Sequence, residues 1–262
     1  MSVADIFDRV ASRYDSVGVD FFTPLAAALI AAAAPKPGEH VLDAGCGRGA
    51  ALLASAEAVG PTGHVTGIDF APGMVSRTAA ATAGLPQVTV QWGDAQAPDF
   101  PTASFDLVTA ALVLFFLPDP PAALRNHRAL LRPGGRLAFS SFAAHDPRYP
   151  ATLRLLSSFA PAPPERPSLH AMFNSPETLR EATTAAGFAH TETTEVSVES
   201  TFTDATQLVR WIGSHMGSQV IESIPESQRP EATAAVSTSH EWPMTLTTRV
   251  NLTVASMTTP VS

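Results

Sequence analysis

The sequence predicts an α/β fold, with a doubly wound, mostly parallel sheet of seven strands that ends in an antiparallel pair. First, short apolar runs alternate with helical patterns from residue 40 to residue 142, which is typical of a parallel sheet covered by helices. Second, residues 105–114 are almost unbroken in their apolar character, as expected of a central strand buried on both faces. Third, residues 195–202 and 249–254 alternate between apolar and polar side chains, which favours two final strands antiparallel to each other.

Composition indicates one domain over residues 1–262. The chain has 262 residues, of which 45% are hydrophobic and 15% are charged, enough for one large core. A net charge of −8 without a basic run argues against a nucleic-acid partner. The single cysteine, Cys46, excludes an internal disulfide and suits a reducing compartment. Since neither a signal-like N-terminus nor a membrane-length apolar run is present, we expect a cytoplasmic monomer or homodimer without membrane contact.

Proline and glycine residues indicate where the helices and strands begin and end. Pro24 suits the first turn of a second helix, and residues 35–38 end that helix before the central strand. The expected organisation is N-terminal lid helices over 1–35, a ligand-binding core over 36–142, helical substrate-cap segments over 143–190 and 203–243, and final strands over 191–202 and 244–257. Within the first cap segment, the proline-rich stretch 145–167 is predicted to be a long irregular excursion.

The chain is organised around the segment VLDAGCGRG, residues 41–49. A strand turns on glycines here and runs into an alanine-rich helix, so backbone can approach a ligand closely. The spacing is G-x-G-x-G, which differs from the G-x-G-x-x-G of dinucleotide binders. Asp43 precedes the first glycine, and its charge suits a cationic ligand better than a pyrophosphate. S-adenosylmethionine (SAM), with its ammonium and sulfonium groups, has that charge; a plain strand-to-helix turn is the alternative.

Together with later segments, this motif resembles the class I SAM-dependent methyltransferases, in the branch similar to ubiquinone and menaquinone biosynthesis methyltransferases. The matching segments in chain order are VLDAGCGRG at 41–49, GIDFAPGM at 67–74, WGDA at 92–95, FDLV at 105–108 and LLRPGG at 130–135. The resemblance covers residues 10–140 well and the remainder only in outline. It implies a Rossmann-like methyltransferase fold with SAM as the cofactor.

Asp69 is the expected ribose ligand. It ends the second strand a little over twenty residues past the glycine loop, from where an acidic side chain reaches a ribose hydroxyl pair on a doubly wound sheet. The alternative is a helix cap for the helix that begins near Pro72. If Asp69 binds the ribose, Phe70 and Met74 would flank the adenine.

The resemblance supplies the other cofactor residues. The motif glycines Gly45 and Gly47 line the loop, and Gly93 belongs to the turn that follows the third strand. Asp94 would accept from the adenine amino group, and the Ala95 N–H would serve a ring nitrogen. Ala111, at the end of the fourth strand, should face the sulfonium. Tyr14, in a segment that resembles the family's N-terminal lid, would close on the methionine end; a helix-end aromatic that packs in the core is equally compatible.

Catalytic and substrate residues are less defined. Many relatives carry His-His after the fourth strand, where this chain has Phe115 and Phe116, so that candidate base is missing. An oxygen nucleophile needs its proton removed. His145 is the first candidate because it follows the strand that borders the site, and His215 is the second because it shares a helical face with Trp211; a structural histidine is the alternative for both. The expected walls for an apolar acceptor, which could equally be core residues, are Phe115, Met172, Phe173 and Trp211.

These features predict methyl transfer from SAM to a small molecule, at a hydroxyl before carbon or nitrogen. No metal-ligand spacing is present, so no metal is expected. The alternatives are a SAM-fold enzyme that catalyses a cyclisation or rearrangement and a non-catalytic binding subunit. An NAD-dependent oxidoreductase is the weakest alternative, given Asp43 and the glycine spacing.

Overall fold

A computed structural model describes residues 3–162 and 170–257, and shows one seven-stranded sheet. The strands are β1 His40–Ala44, β2 His64–Asp69, β3 Val88–Trp92, β4 Phe105–Ala111, β5 Leu131–His145, β6 His190–Phe202 and β7 Met244–Ser256. The helices are α1 Val3–Val10, α2 Phe22–Ala33, α3 Ala50–Val59, α4 Pro72–Ala81, α5 Pro120–Leu130, α6 Arg148–Ser157, α7 Pro176–Ala185, α8 Ala205–Ile212, α9 Ser218–Ser223 and α10 Arg229–Ser239.

The strand order is β3-β2-β1-β4-β5-β7-β6. The first five strands pair in parallel, and β7 runs antiparallel between β5 and β6. The predicted fold class is therefore confirmed, including the antiparallel final pair. The chain order reverses between β1 and β4, and such a crevice at the carboxyl ends of strands is where open α/β sheets bind ligands.

Both faces of the sheet are covered. Successive strand residues point to opposite faces, so Val41 packs with the α2 and α3 side while Leu42 packs with the α5 and α7 side. In β4, Leu107 packs on the α2 and α3 side and Val108 packs on the α5 and α7 side. This explains the unbroken apolar run that predicted a central strand.

The strands differ from the predicted ones at two boundaries. Strand β4 ends at Ala111, three residues early, because Leu112 adopts a left-handed conformation with φ of 56° and donates its N–H to the Ser140 hydroxyl. The sequence favours a turn over residues 130–135 and a strand from Arg136 to Phe142, but strand β5 already begins at Leu131, because the Arg-Pro-Gly-Gly segment forms an irregularity within the strand pairing. Gly134 has φ of 80° there, which glycine tolerates.

Helix α6 is absent from the sequence prediction. We expected an irregular excursion over 145–167, but Arg148–Ser157 is helical. Its prolines lie at positions 147 and 150, where a missing N–H breaks no intrahelical hydrogen bond. The Asp146 carboxylate accepts from the Arg148 N–H and so begins the helix. The end of the predicted excursion, residues 163–169, lies outside the described residues.

The expected cap segments divide between two locations. Helices α6, α8, α9 and α10 contact one another, and α8 contacts the edge strand β6. Helix α7 instead packs on the sheet face, where Leu179 is buried beside α5. The segment 143–190 is therefore partly cap and partly a layer of the core. Among residues 3–162 and 170–257, every helix is too short or too polar to cross a bilayer.

Gly67 allows α3 to pack closely on β2. A Cβ at this position would lie 2.9 Å from Leu52 Cδ1 and 3.1 Å from Cys46 Sγ. Cys46 is 6% exposed, and burial raises the pKa of its thiol well above the ordinary value. The cysteine is thus held under the turn between β1 and α3.

Candidate active site

A cavity of about 820 Å³ lies at the carboxyl ends of the parallel strands. Residues that follow β1, β2, β3, β4 and β5 line it, and α1 and the cap helices supply the remaining walls. Its volume is in the range of ligand pockets. The cavity therefore occupies the position that the topology favours for a ligand.

The glycine loop forms the floor beside β1. Gly45 and Gly47 line the cavity with φ of 77° and 51°, which disfavours side chains at both positions. A Cβ on Gly45 would lie 2.6 Å from Val113 Cγ2, so there is no room for one. The loop thus presents bare backbone to the cavity.

Asp69 ends β2 against this loop. One carboxylate oxygen accepts from the Gly47 N–H at 2.9 Å, and the other accepts from the Ala71 N–H at 2.9 Å. Burial raises its pKa. A carboxylate has about four lone-pair sites, so each oxygen can still accept one hydroxyl hydrogen from a ligand. Phe70 and Met74, the expected adenine walls, line the same part of the cavity.

Asp43 is 1% exposed and lies outside the lining residues, next to the glycine loop. Its Oδ1 accepts from the Thr109 hydroxyl at 2.7 Å, and its Oδ2 has no partner among the described residues. Burial raises its pKa to about 7, and the charge of Asp69 adds to the increase. A buried carboxylate with an unused oxygen favours a cationic ligand. This is the feature by which the site fits SAM.

Residues after β3 form the next wall. Asp94 and Ala95 line the cavity, and the Asp94 carboxylate accepts from the Gln96 N–H at 2.8 Å. Gly93 is not among the lining residues; its N–H donates to the Asp69 carbonyl, and a Cβ there would lie 3.0 Å from Ile68. The structure therefore brings Asp94 and Ala95 to the cavity and gives Gly93 a packing role behind it.

His127 supports this wall and was not predicted. It is fully buried on α5, and its Nε2 lies 2.7 Å from the Ala95 carbonyl oxygen. Burial lowers its pKa to about 4, so the ring is neutral and donates from Nε2. The sequence offered no signal for it, because one histidine in an amphipathic helix resembles any surface histidine.

The lid closes the cavity from the N-terminal side. Tyr14 lines the cavity, stacks on Phe22 with ring centroids 4.8 Å apart, and has its pKa raised by burial. Arg9 and Arg13 both form ion pairs with Glu222 of α9, at 2.7 and 2.8 Å. These ion pairs join the N-terminal segment to α9 of the cap.

The two candidate bases lie at the end of the cavity that the cap covers. Asp94 lies at the opposite end. His145 is exposed, and its ring packs between Phe142 and Tyr149, with centroids 4.6 and 5.3 Å away. Partial burial lowers its pKa. His215 is more deeply enclosed, and burial lowers its pKa to about 4, with a further decrease from His145. Both imidazoles line the cavity and are neutral at pH 7.

Of the four expected substrate walls, the structure brings two to the cavity. Phe115 and Trp211 line it. Met172 and Phe173 do not; they are buried in the core cluster beside α7, where Phe173 packs edge-on against Phe115 at 6.0 Å. The cavity walls that sequence reasoning missed include Phe7, Phe22, Phe142, Tyr149 and Ser200. Ala111, expected at the sulfonium, also lines the cavity.

The histidine, cysteine and acidic side chains within 3–162 and 170–257 form no group of three or more that could hold a metal ion. The charged groups that line the cavity are the carboxylates of Asp69 and Asp94, without Lys or Arg among the described lining residues, and Asp43 is buried next to the glycine loop. Such a site has one charged end, near the glycine loop, and one aromatic end under the cap.

Comparisons with known proteins agree with this geometry. A family profile described as a methyltransferase domain matches residues 20–193. Nocamycin O-methyltransferase of Saccharothrix syringae is 38% identical over 250 residues, which cover 88% of this chain and 87% of that protein. Aklanonic acid methyltransferase of Streptomyces sp. (strain C5) is 47% identical over 141 residues, 53% of this chain and 64% of that protein.

A solved structure shows the same fold at low sequence identity. An N-methyltransferase of Haemonchus contortus, determined with phosphomonomethylethanolamine and S-adenosylhomocysteine, has a TM-score of 0.63 at 15% identity. The match covers 99% of this chain and 61% of that one. On the profile match and the full-length relative, the chain belongs to the methyltransferase domain family and is a class I SAM-dependent methyltransferase.

Proposed function

We propose that this protein binds SAM along the glycine loop and transfers its methyl group to an oxygen of a small, apolar, conjugated molecule held under the cap. The observation that carries the cofactor assignment is the Asp69 carboxylate, which lines the cavity beside backbone that accepts no side chain and keeps lone pairs free for a pair of ligand hydroxyls. The aromatic end of the same cavity supports the acceptor assignment.

The chain's own residues would hold the cofactor by charge and shape. Asp69 would accept from the ribose hydroxyls, and Asp94 from the adenine amino group, with Phe70 and Met74 as the adenine walls. Asp43 would stabilise the cationic end of the ligand, and Tyr14 would cover it. SAM, when bound, supplies a methyl group already activated by the sulfonium. The protein is therefore left to align the acceptor and to exclude water.

His145 is the proposed general base for an oxygen nucleophile. Its imidazole is neutral because burial lowers its pKa, and it lies among the lining residues beside two aromatic rings. A neutral imidazole can take a hydroxyl proton as the oxygen attacks. The O-methyltransferase that matches most of this chain supports oxygen over carbon or nitrogen as the site of methylation.

The proposal is tested in two steps on the purified full-length chain. Isothermal titration with SAM, S-adenosylhomocysteine and NAD should show binding of the first two compounds only; binding of NAD alone would overturn the cofactor assignment. Incubation with SAM and a panel of phenols, enols and carboxylic acids should then yield S-adenosylhomocysteine together with a methylated product. A rearranged product without S-adenosylhomocysteine would indicate the cyclisation alternative instead.

A further inference from the structure

Three buried polar atoms at the acceptor end have no hydrogen-bond partner among the described residues. They are Ser200 Oγ, Trp211 Nε1 and His215 Nε2, and all three residues line the cavity. An unpaired buried donor or acceptor costs about 1–3 kcal/mol. Three such groups at one end of a ligand cavity therefore indicate a partner that the ligand supplies.

The protonation of these groups can be assigned from their contacts. The indole N–H of Trp211 is a donor only. At His215, the Gly217 N–H donates to Nδ1 at 3.5 Å, so Nδ1 carries no hydrogen. Because burial keeps the ring neutral, its hydrogen lies on Nε2. Two N–H donors and one hydroxyl thus lie without partners at this end.

The three groups lie on strand β6, on helix α8 and in the turn that follows α8. Ser200 lies on the same face of β6 as Phe202, whose ring contacts Trp211 at 5.3 Å between centroids. The His215 ring lies 4.5 Å from Trp211. The described lining residues include no Lys or Arg, so no such side chain would balance the charge of an anionic ligand. The three donors therefore suit an uncharged oxygen better than a phosphate or sulfonate.

We propose that Ser200, Trp211 and His215 form a carbonyl-binding subsite, and that the methyl acceptor is a planar hydroxy-carbonyl compound. Its carbonyl oxygen accepts hydrogen bonds from the N–H groups of Trp211 and His215 and from the Ser200 hydroxyl. Its rings lie against the aromatic wall of Phe115, Phe142 and Tyr149. The inference rests on the proposed function and gives it a substrate class.

The subsite also divides the roles of the two histidines. His215 donates from Nε2 and cannot take a proton there, so it is a binding group and His145 remains the base. Donation to a carbonyl conjugated with the reacting hydroxyl withdraws electron density and makes that hydroxyl more acidic. A weak base such as a neutral imidazole then suffices.

The test compares probes that differ in the carbonyl. Isothermal titration of the full-length protein, saturated with S-adenosylhomocysteine, would use 4-hydroxy-1-acetonaphthone, 1-naphthol and 4-hydroxy-1-naphthoate. The ketone should bind about tenfold more tightly than naphthol, the value of one to two good hydrogen bonds. Equal affinity for ketone and naphthol would overturn the subsite, and tighter binding of the carboxylate than of the ketone would overturn its preference for a neutral oxygen.

Variants assign the effect to the named donors. Trp211→Phe and Ser200→Ala should each reduce the ketone-over-naphthol ratio by about threefold to tenfold, whereas a loss of packing alone would weaken both probes equally. Trp242→Phe is the matched control, because its indole N–H already donates to the Ser237 carbonyl outside the cavity. Unchanged ratios in both subsite variants would refute the proposal. Failure of S-adenosylhomocysteine to bind at all would instead refute the proposed function.

Discussion

Asp43 and Asp69 are carboxylates of one site in unlike surroundings. Asp69 accepts from two backbone N–H groups and faces the cavity, whereas Asp43 has one hydroxyl partner and one unused oxygen in the interior. The first arrangement suits hydroxyl recognition, and the second suits stabilisation of positive charge. Each residue therefore predicts a different response to substitution and pH.

Asp69→Asn should weaken SAM binding by about 1–3 kcal/mol, because an amide cannot accept on both oxygens as a carboxylate does. Isothermal titration measures the dissociation constant. Asp99→Asn is the matched control, since it removes the same charge from an exposed residue outside the cavity lining. An unchanged dissociation constant in Asp69→Asn would refute the ribose assignment.

Asp43 should make the stability of the ligand-free protein fall as pH rises. Its pKa is about 7 in the folded state and an ordinary 3.8 in the unfolded chain, so between these pH values the folded state binds more protons than the unfolded state. The free energy of unfolding therefore decreases from about pH 4 to about pH 7. Urea denaturation at pH 5 and pH 8 should show this decrease, and Asp43→Asn should make it smaller.

SAM should reverse part of that loss, because a cation next to Asp43 favours the ionised carboxylate. Its affinity for the wild-type protein should then decline below about pH 7, and Asp43→Asn should lose both affinity and this pH dependence. If Asp43→Asn keeps the wild-type change of unfolding free energy with pH and the wild-type affinity for SAM, Asp43 is not the titrating group of the site.

His145→Gln should lower kcat by about a hundredfold or more, the usual contribution of a general base, while the dissociation constant of SAM stays unchanged. Since burial lowers the pKa of His145 from its ordinary value, the wild-type kcat should remain level to a lower pH than a free imidazole base would allow. Steady-state rates with the acceptor identified from the panel check both statements. His64→Gln is the control, because His64 begins β2, whereas the cavity lies at the other end of that strand. Equal rates in both variants would remove His145 from the mechanism.

At the scale of elements, α1 is tied to two others. Its Asp8 carboxylate accepts from the Gly73 N–H at the start of α4, and its Arg9, with Arg13 beyond it, pairs with Glu222 of α9. Because α1 lines the cavity as well, these contacts hold a wall of the site in place. Ligand exchange then requires that some of them open.

Glu222→Gln should speed release of S-adenosylhomocysteine severalfold and change global stability by less than about 1 kcal/mol, since exposed ion pairs stabilise little. Stopped-flow fluorescence and urea denaturation separate the two effects. Glu195→Gln breaks a comparable exposed pair with Arg249, far from the lid, and should leave the release rate unaltered. Equal release rates in the two variants would show that the lid does not open at Glu222.

Helices and strands with a clear apolar periodicity could be predicted from the sequence. Boundaries set by a single backbone conformation or by a proline could not. The apolar run of β4 predicted a central strand, but its end depended on Leu112, whose left-handed conformation has no sequence signal of its own. Helix α6 was missed because prolines read as breakers unless they fall at a helix start. The expected cofactor residues came from the glycine spacing and from the family resemblance, whereas Ser200 and Tyr149 reach the cavity only through the long-range packing of β6 and α6.

Over the whole molecule, two core clusters meet across the sheet and the cavity lies at their common end. Lid, glycine loop and cap all contribute walls, so a cofactor bound there would contact parts of the chain that are distant in sequence. A ligand that binds only the folded state stabilises the whole fold by mass action.

SAM at about one hundred times its dissociation constant should add about 2.7 kcal/mol to the free energy of unfolding. For a chain of this size that corresponds to a rise in Tm of about 5–10 °C. Differential scanning calorimetry measures it. NAD at the same concentration should leave Tm unaltered; a rise with NAD and none with SAM would contradict the cofactor assignment.

The burial of Cys46 under the glycine turn has a practical consequence. With its thiol enclosed and kept protonated, the natural chain should be inert to maleimide reagents. A cysteine introduced at exposed Ser12, between α1 and Tyr14, would then be the sole reactive thiol and would carry a single dye. Paired with a second label on the cap, that dye would report each opening of the lid in individual molecules as they turn over.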